Sequence, residues 1–169
     1  MTEARTTATA QQIVAFFLGN EEYGVPIIQV SEVIRKVGIT RIPGMPDFIE
    51  GVINLRGKII PVIDLRKRFG LPVQVDTEKT RIIVVLTSDH SIGLIVDGVS
   101  EVINLSNDQI EPIPPTIAAI DAEYLSGVGK RDTQLTILIH LEKLLNDIEK
   151  HAIEKLAKKG TVDTADAAQ

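Results

Sequence analysis

Cysteine is missing from this 169-residue chain, and with it every disulfide, thiolate metal site and cysteine nucleophile. Tryptophan is absent as well, and aromatic residues make up only 4% of the sequence. Base stacking therefore has few platforms, and a net charge of -5 sets the average surface against nucleic acid. No apolar run approaches the roughly 18 residues that a membrane span requires. The opening stretch MTEARTTATA has no apolar core of the kind a signal peptide carries. These absences predict a soluble, cytoplasmic protein with no nucleic-acid partner and no direct membrane insertion.

Chemical motifs are equally scarce. The three histidines, His90, His140 and His151, have no second ligand at a metal-binding spacing. There is no P-loop, nucleophile elbow or calcium loop, and Gly127-Val128-Gly129 is a bare G-x-G that a loop explains. No two carboxylates can be assigned to acid–base work. The residues imply no catalytic group, no metal and no cofactor. A binding module is favoured over an enzyme. One alternative of another class is kept: a small ligand-binding or hydrolytic β-barrel with His140 and Asp64 near a pocket.

What the chain does hold is Ile, Val and Leu, within an apolar fraction of 44%. Those residues lean toward strands. They also repeat. VSEVI occurs as Val30–Ile34 and again as Val99–Ile103, 69 residues later. At the same offset Tyr23–Ile34 faces Ile92–Ile103, and Ile13–Leu18 faces Ile82–Thr87. Each pair of apolar runs brackets a polar turn, G-N-E-E in one copy and S-D-H-S in the other, and so reads as a hairpin. Downstream the offset becomes 76, where Phe48–Ile53 faces Tyr124–Gly129 and Ile59–Phe69 faces Leu135–Leu145. A proline-bearing link joins the hairpins of each copy, through Pro43 and Pro46 in the first and Pro114-Pro115 in the second.

The pattern predicts an internal duplication. Residues 1–11 form a flexible tail, 12–80 the first repeat, 81–146 the second, and 147–169 a C-terminal helix and tail. Each repeat holds about five short strands, which a small closed barrel accommodates without exposed edges. Whether each barrel is contiguous stays open, because similar hairpins can exchange between barrels. VSEVI has the i, i+3, i+4 spacing of a helical turn entering the next strand. Leu141, Leu144, Leu145, Ile148, Ala152, Ile153 and Leu156 predict an amphipathic helix over Glu142–Lys159, ended by Gly160. His140 occupies the place of Asp64 in the other copy and reads as structural; His90 reads as a turn residue and His151 as a solvated helix position.

The copies differ most at one turn. The first has Asn54-Leu55-Arg56-Gly57, a tight turn in which Asn54 and Gly57 can take positive φ and Leu55 and Arg56 project outward. The second has Lys130-Arg131-Asp132-Thr133, an ordinary solvated turn. Arg56 carries five donors, a planar face and an apolar stem, the properties of a recognition residue.

The stretch F-I-E-G-V-I-N-L-R-G-K-I-I-P-V-I-D-L-R-K-R-F closely resembles the signature of the CheW family of bacterial chemotaxis coupling proteins, as does Y-G-V-P-I-I-Q-V-S-E-V-I upstream. The likeness runs from about Gln12 to about Asn146. It implies a mainly β fold of two SH3-like five-stranded β-barrels with a C-terminal helix. It implies a non-catalytic adaptor between the cytoplasmic tips of chemoreceptors (methyl-accepting chemotaxis proteins) and the regulatory domain of the histidine kinase CheA, recruited to membrane receptor arrays. In the family the receptor helix lies in the groove between the barrels. Carried over by position, the receptor-binding residues are Val30, Glu32, Val33, Gly51, Arg56 and Gly57, with Val99 added from the opposite copy. The kinase-binding surface has no comparable motif and is left unassigned. Swimming chemotaxis and other chemosensory pathways are equally compatible.

Overall fold

Hairpins that are neighbours in sequence do not end up in the same barrel. The computed structural model describes residues 10–72, 75–86, 90–113, 124–144 and 146. Its strands are β1 (Gln11–Leu18), β2 (Glu21–Pro26), β3 (Val30–Arg35), β4 (Ile49–Leu55) and β5 (Lys58–Asp64) from the first copy. A one-turn helix, α1 (Leu65–Arg68), follows β5. The second copy gives β6 (Arg81–Leu86), β7 (Ser91–Val96), β8 (Gly98–Leu105), β9 (Ile110–Glu111), β10 (Leu125–Arg131) and β11 (Gln134–Ile139). One sheet has the order β8-β1-β2-β11-β10-β9 and the other β3-β6-β7-β5-β4. The β1–β2 hairpin thus completes a barrel made from the second copy, and β6–β7 completes one made from the first. Each inserted hairpin meets its host through a parallel pairing, β2 with β11 and β5 with β7. Parallel neighbours need a long crossover, which the exchanged chain supplies.

This exchange explains the apolar runs. Ile13 and Ala15 point into one barrel with Ile103, Leu105 and Leu138. Ile82 and Val84, 69 residues on from Ile13 and Ala15, point into the other with Ile53, Ile60, Val62 and Ile95. The opposite faces of the same strands, Val14, Phe16 and Leu18 on β1 and Ile83 and Val85 on β6, meet in a third cluster shared by both barrels. A strand buried on both faces reads as a continuous apolar run rather than an alternation. The repeat is visible even in its gaps: a Cβ on Gly24 would come within 2.3 Å of Ile13, and one on Gly93 within 2.8 Å of Ile82. The missing side chains make room for equivalent isoleucines in each small barrel.

Arg68 closes the junction from α1. Its guanidinium lies 5.3 Å from the ring centre of Phe48 and 4.6 Å from that of Tyr124, the equivalent aromatics of the two copies. Such cation–π contacts contribute about 0.5–2 kcal/mol each.

Two expectations change. VSEVI is not a helical turn: Val30–Ile34 belong to β3 and Val99–Ile103 to β8, and a 3-10 turn at Ile27–Gln29 precedes the first copy. Pairing with β6 and β1 outweighs the local spacing. Gln11, placed in the tail by sequence, already pairs with Leu105. Residues 141–144 and 146 are helical, with Leu141 and Leu144 in the shared cluster. The rest of the expected C-terminal helix lies outside the described residues, as do residues 1–9, Ser88, Asp89, Pro114-Pro115 and His151.

Candidate functional site

The β4–β5 connection is a two-residue turn. Leu55 pairs with Lys58, leaving Arg56 and Gly57 between them at φ 52° and 84°. Consecutive positive φ values match the right-handed twist of the flanking strands. The expectation for this turn is corrected in part: Gly57 does take positive φ, but its companion is Arg56 and not Asn54. The Asn54 side chain instead accepts the Gly57 N–H at 2.8 Å, tying the turn shut. Leu55 is also corrected, since it packs against the barrel interior rather than projecting outward. Arg56 alone projects, with a side chain 71% exposed.

The exposed guanidinium is held in place. Its Nη2 donates to Glu32 Oε2 on β3, so two residues 24 apart in sequence form one ion pair. That hydrogen bond, with the charge of Glu32 behind it, raises the Arg56 guanidinium above its ordinary value. Val33 beside Glu32 is an exposed apolar residue. Val30, three positions before Val33, is partly buried against the shared cluster. β3, the Arg56–Gly57 turn and the pair between them therefore present an apolar strip, one carboxylate and one guanidinium on a single barrel.

Gly51 plays a different part. It is buried, at φ 148°, and a Cβ there would lie 2.0 Å from the Thr40 carbonyl oxygen. Its bare backbone lets Thr40 and Val52 exchange two hydrogen bonds of 2.9 Å, which fastens the proline link to β4. Val99 stands apart from the other six. It is the second residue of β8 in the six-stranded sheet, opposite Phe16, and lines a cleft with Phe17, Lys79 and Arg81.

Sequence reasoning missed a buried ionic cluster at the end of β5. Arg66 is 2% exposed. Its Nε and Nη2 donate to the two oxygens of Asp64, each at 3.0 Å, and its Nη1 donates to Asp97 at 2.7 Å. Burial opposes the charge, but bonding to Asp64 and Asp97 outweighs it and raises the guanidinium above its ordinary value. Asp97 also accepts the Gly19 N–H at 2.7 Å, so the cluster bolts α1 to the β1–β2 turn. The signal was D-L-R at a strand end, a carboxylate and arginine two apart.

The ligand-binding or hydrolytic alternative finds no support in the roles of Asp64 and His140. Asp64 caps α1, accepting the Arg66 N–H at 2.9 Å, and its carboxylate is occupied by the Arg66 side chain. His140 caps the following helical turn in the other barrel, its Nδ1 accepting the Lys143 N–H at 3.4 Å. Their own N–H groups donate to Phe48 and Tyr124, again equivalent positions. They are two copies of one capping position rather than partners at one site. Among the described residues no group of three or more His, Asp or Glu is placed to hold a metal, and no helix is long and apolar enough to cross a membrane.

A family model described as a CheW-like domain matches residues 12–149. The chain is 42% identical over 148 residues to a chemotaxis protein CheW of Klebsiella aerogenes, covering 88% of this chain and 89% of that one. It is 36% identical over 135 residues to a chemotaxis protein CheW of Helicobacter pylori, covering 79% and 81%. A solved structure of the scaffolding protein TtCheW from Thermoanaerobacter tengcongensis superposes with a TM-score of 0.71 at 49% identity, covering 76% of this chain and 88% of that one.

Proposed function

The chain belongs to the CheW family, and from that membership we propose that it joins chemoreceptor tips to the regulatory domain of the kinase CheA. Its fold is that of two SH3-like β-barrels, and it is a chemotaxis coupling adaptor. The work of such a protein is binding and placement, so its signal is carried by equilibria between partners.

The receptor face in this reading is β3 with the β4–β5 turn. Val30 and Val33 supply apolar contact, Arg56 and Glu32 the polar register, and Gly57 the turn that presents Arg56. Gly51 acts at one remove, by holding the link against β4, and Val99 contributes from the neighbouring sheet. An amphipathic helix laid on such a face would be read by anchors at helical spacing. The observation that carries the reading is Arg56 itself: a guanidinium held out by a positive-φ backbone and oriented by Glu32. Recruitment to receptor arrays follows if both partners bind at once.

Co-sedimentation with a receptor signalling fragment and with a CheA regulatory domain tests the assignment. Arg56→Ala is expected to weaken receptor binding about tenfold. CheA binding and the melting temperature should stay unchanged. Folded wild-type protein that captures neither partner would sink the proposal, and a variant that simply unfolds would make Arg56 a structural residue.

A further inference from the structure

Among the described residues the chain passes from one barrel to the other at two places. β2 belongs to the six-stranded sheet and β3 to the five-stranded one, and the 3-10 turn Ile27–Gln29 joins them. β7 belongs to the five-stranded sheet and β8 to the six-stranded one, and Asp97 alone stands between Val96 and Gly98. Everything from β3 to β7 is therefore tied to the rest of the chain by two short crossings. That is the layout of a hinge, in which a few residues at element ends absorb a change of angle.

The two crossings are built differently. Ile28 and Asp97 are 69 positions apart and hold equivalent places in the two copies. Ile28 is 90% exposed, and its turn has no side-chain cap. Asp97 is gripped from both barrels. On the six-stranded side its N–H donates to the Phe17 carbonyl at 2.9 Å, and its Oδ2 accepts the Gly19 N–H at 2.7 Å. On the five-stranded side its Oδ1 accepts from Arg66 Nη1 at 2.7 Å. Arg66 is itself fixed, since its Nε and Nη2 donate to the two oxygens of Asp64 at the end of β5. A planar guanidinium held at three nitrogens has one orientation, and it passes that orientation to Asp97.

The apolar cluster shared by the barrels resists their separation, but hydrophobic contact is non-directional. The bonds to Asp97 are directional, and each barrel supplies one end of them.

We propose that Asp97, through Arg66, is the positioning residue that locks the angle between the barrels, with Ile27–Gln29 as the unclamped side of the hinge. In an adaptor that angle decides how anything bound to one barrel is placed relative to anything bound to the other. The inference goes beyond the assignment of partners and does not depend on it.

Residual dipolar couplings of isotope-labelled full-length protein in a weakly aligning medium read the angle, and the couplings within each barrel report whether that barrel is folded. In the wild type one alignment tensor should fit both barrels. In D97A each barrel should keep internally consistent couplings while the joint fit is lost. Arg66 retains Asp64 as its counter-charge in that variant, so no buried charge is left unpaired. D97N keeps the shape but presents one acceptor oxygen where two are used, and it should lose the joint fit as well; it carries the test should D97A fail to fold. D76N is the control. Asp76 lies 3.9 Å from Nη2 of the same guanidinium, but its other partner, Lys36, follows β3 in the same barrel. D76N should keep the single tensor. A single tensor in folded D97A or D97N would overturn the proposal, as would separate tensors in the wild type. Separate tensors in D76N would trace the angle to the net charge of the cluster and overturn it too. Unfolding of both Asp97 variants would make the contact part of the fold itself and not a hinge lock. Each of these outcomes leaves the receptor and CheA reading standing, because no partner is present in the experiment.

Discussion

The β4–β5 and β10–β11 turns are the same piece of architecture used in opposite ways. Each carries a non-glycine residue at positive φ, Arg56 at 52° and Asp132 at 53°, and these positions are 76 residues apart. Each sends an arginine toward a glutamate at the equivalent place in VSEVI, Arg56 to Glu32 and Arg131 to Glu101. The arginines differ by one position in the turn. That shift leaves Arg56 71% exposed and turns Arg131 inward to 23%. Arg131 reaches Glu22, whose side chain is only 2% exposed and whose Oε1 also accepts from Gln134 and Thr136. The second turn is therefore not the solvated loop its sequence suggests. One residue of register decides whether an arginine serves the surface or holds a buried carboxylate in place.

The comparison can be broken most forcefully at Arg131. Arg131→Ala leaves Glu22 without its counter-charge, with Oε2 already lacking a hydrogen bond. Removing one partner of a buried pair costs about 3–5 kcal/mol. Urea unfolding should show a loss near the lower end of that range, and Glu22→Gln in the same background should recover most of it. An unmoved midpoint would make both turns surface features. A smaller effect sharpens the contrast between the two glutamates. Glu32→Gln should weaken receptor binding by up to about fivefold, the scale of an exposed ion pair, while Glu101→Gln leaves it alone. Equal losses in the two variants would mean that the receptor reads both barrels. The smallest effect concerns the strain the turns share. Arg56→Gly should raise stability by about 0.5 kcal/mol, because the left-handed region is unfavourable for a side chain and glycine returns only part of that gain as entropy. Asp132→Gly should do less, since Asp tolerates this conformation better than Arg. Paired thermal melts resolve the difference.

Much of the fold was legible. VSEVI and its flanks marked equivalent strands, and the apolar runs marked strands buried on both faces. The exchange of hairpins was not, because Ile13–Leu18 and Ile82–Thr87 are alike in pattern and either would fill either barrel. Nothing local specifies the parallel pairings of Tyr23 with Ile137 or Val62 with Gly93. At the candidate site, Arg56 and Glu32 were singled out through the family resemblance, but their pairing with each other was not legible, since it depends on how β3 and the β4–β5 turn come together. Glu22 was hidden altogether: two glutamates after a turn read as solvated, and its partners Arg131, Gln134 and Thr136 lie more than 100 residues away. Val99 was placed by analogy with Val30, yet Lys79 and Arg81 make its surroundings unlike those of Val30.

The hairpin exchange also fixes a schedule. During synthesis β1 and β2 leave the ribosome first, yet β1 pairs with β8 and β2 with β11. Tyr23 waits 114 residues for Ile137, roughly 6–25 s at ordinary translation rates. The strands of the five-stranded barrel end at Val96, so it can assemble while roughly the last two-fifths of the message is read. The edge of β2, among the first strands made, is the last to find its partner, and a message truncated before β11 would yield one barrel beside a hairpin held through β8 alone.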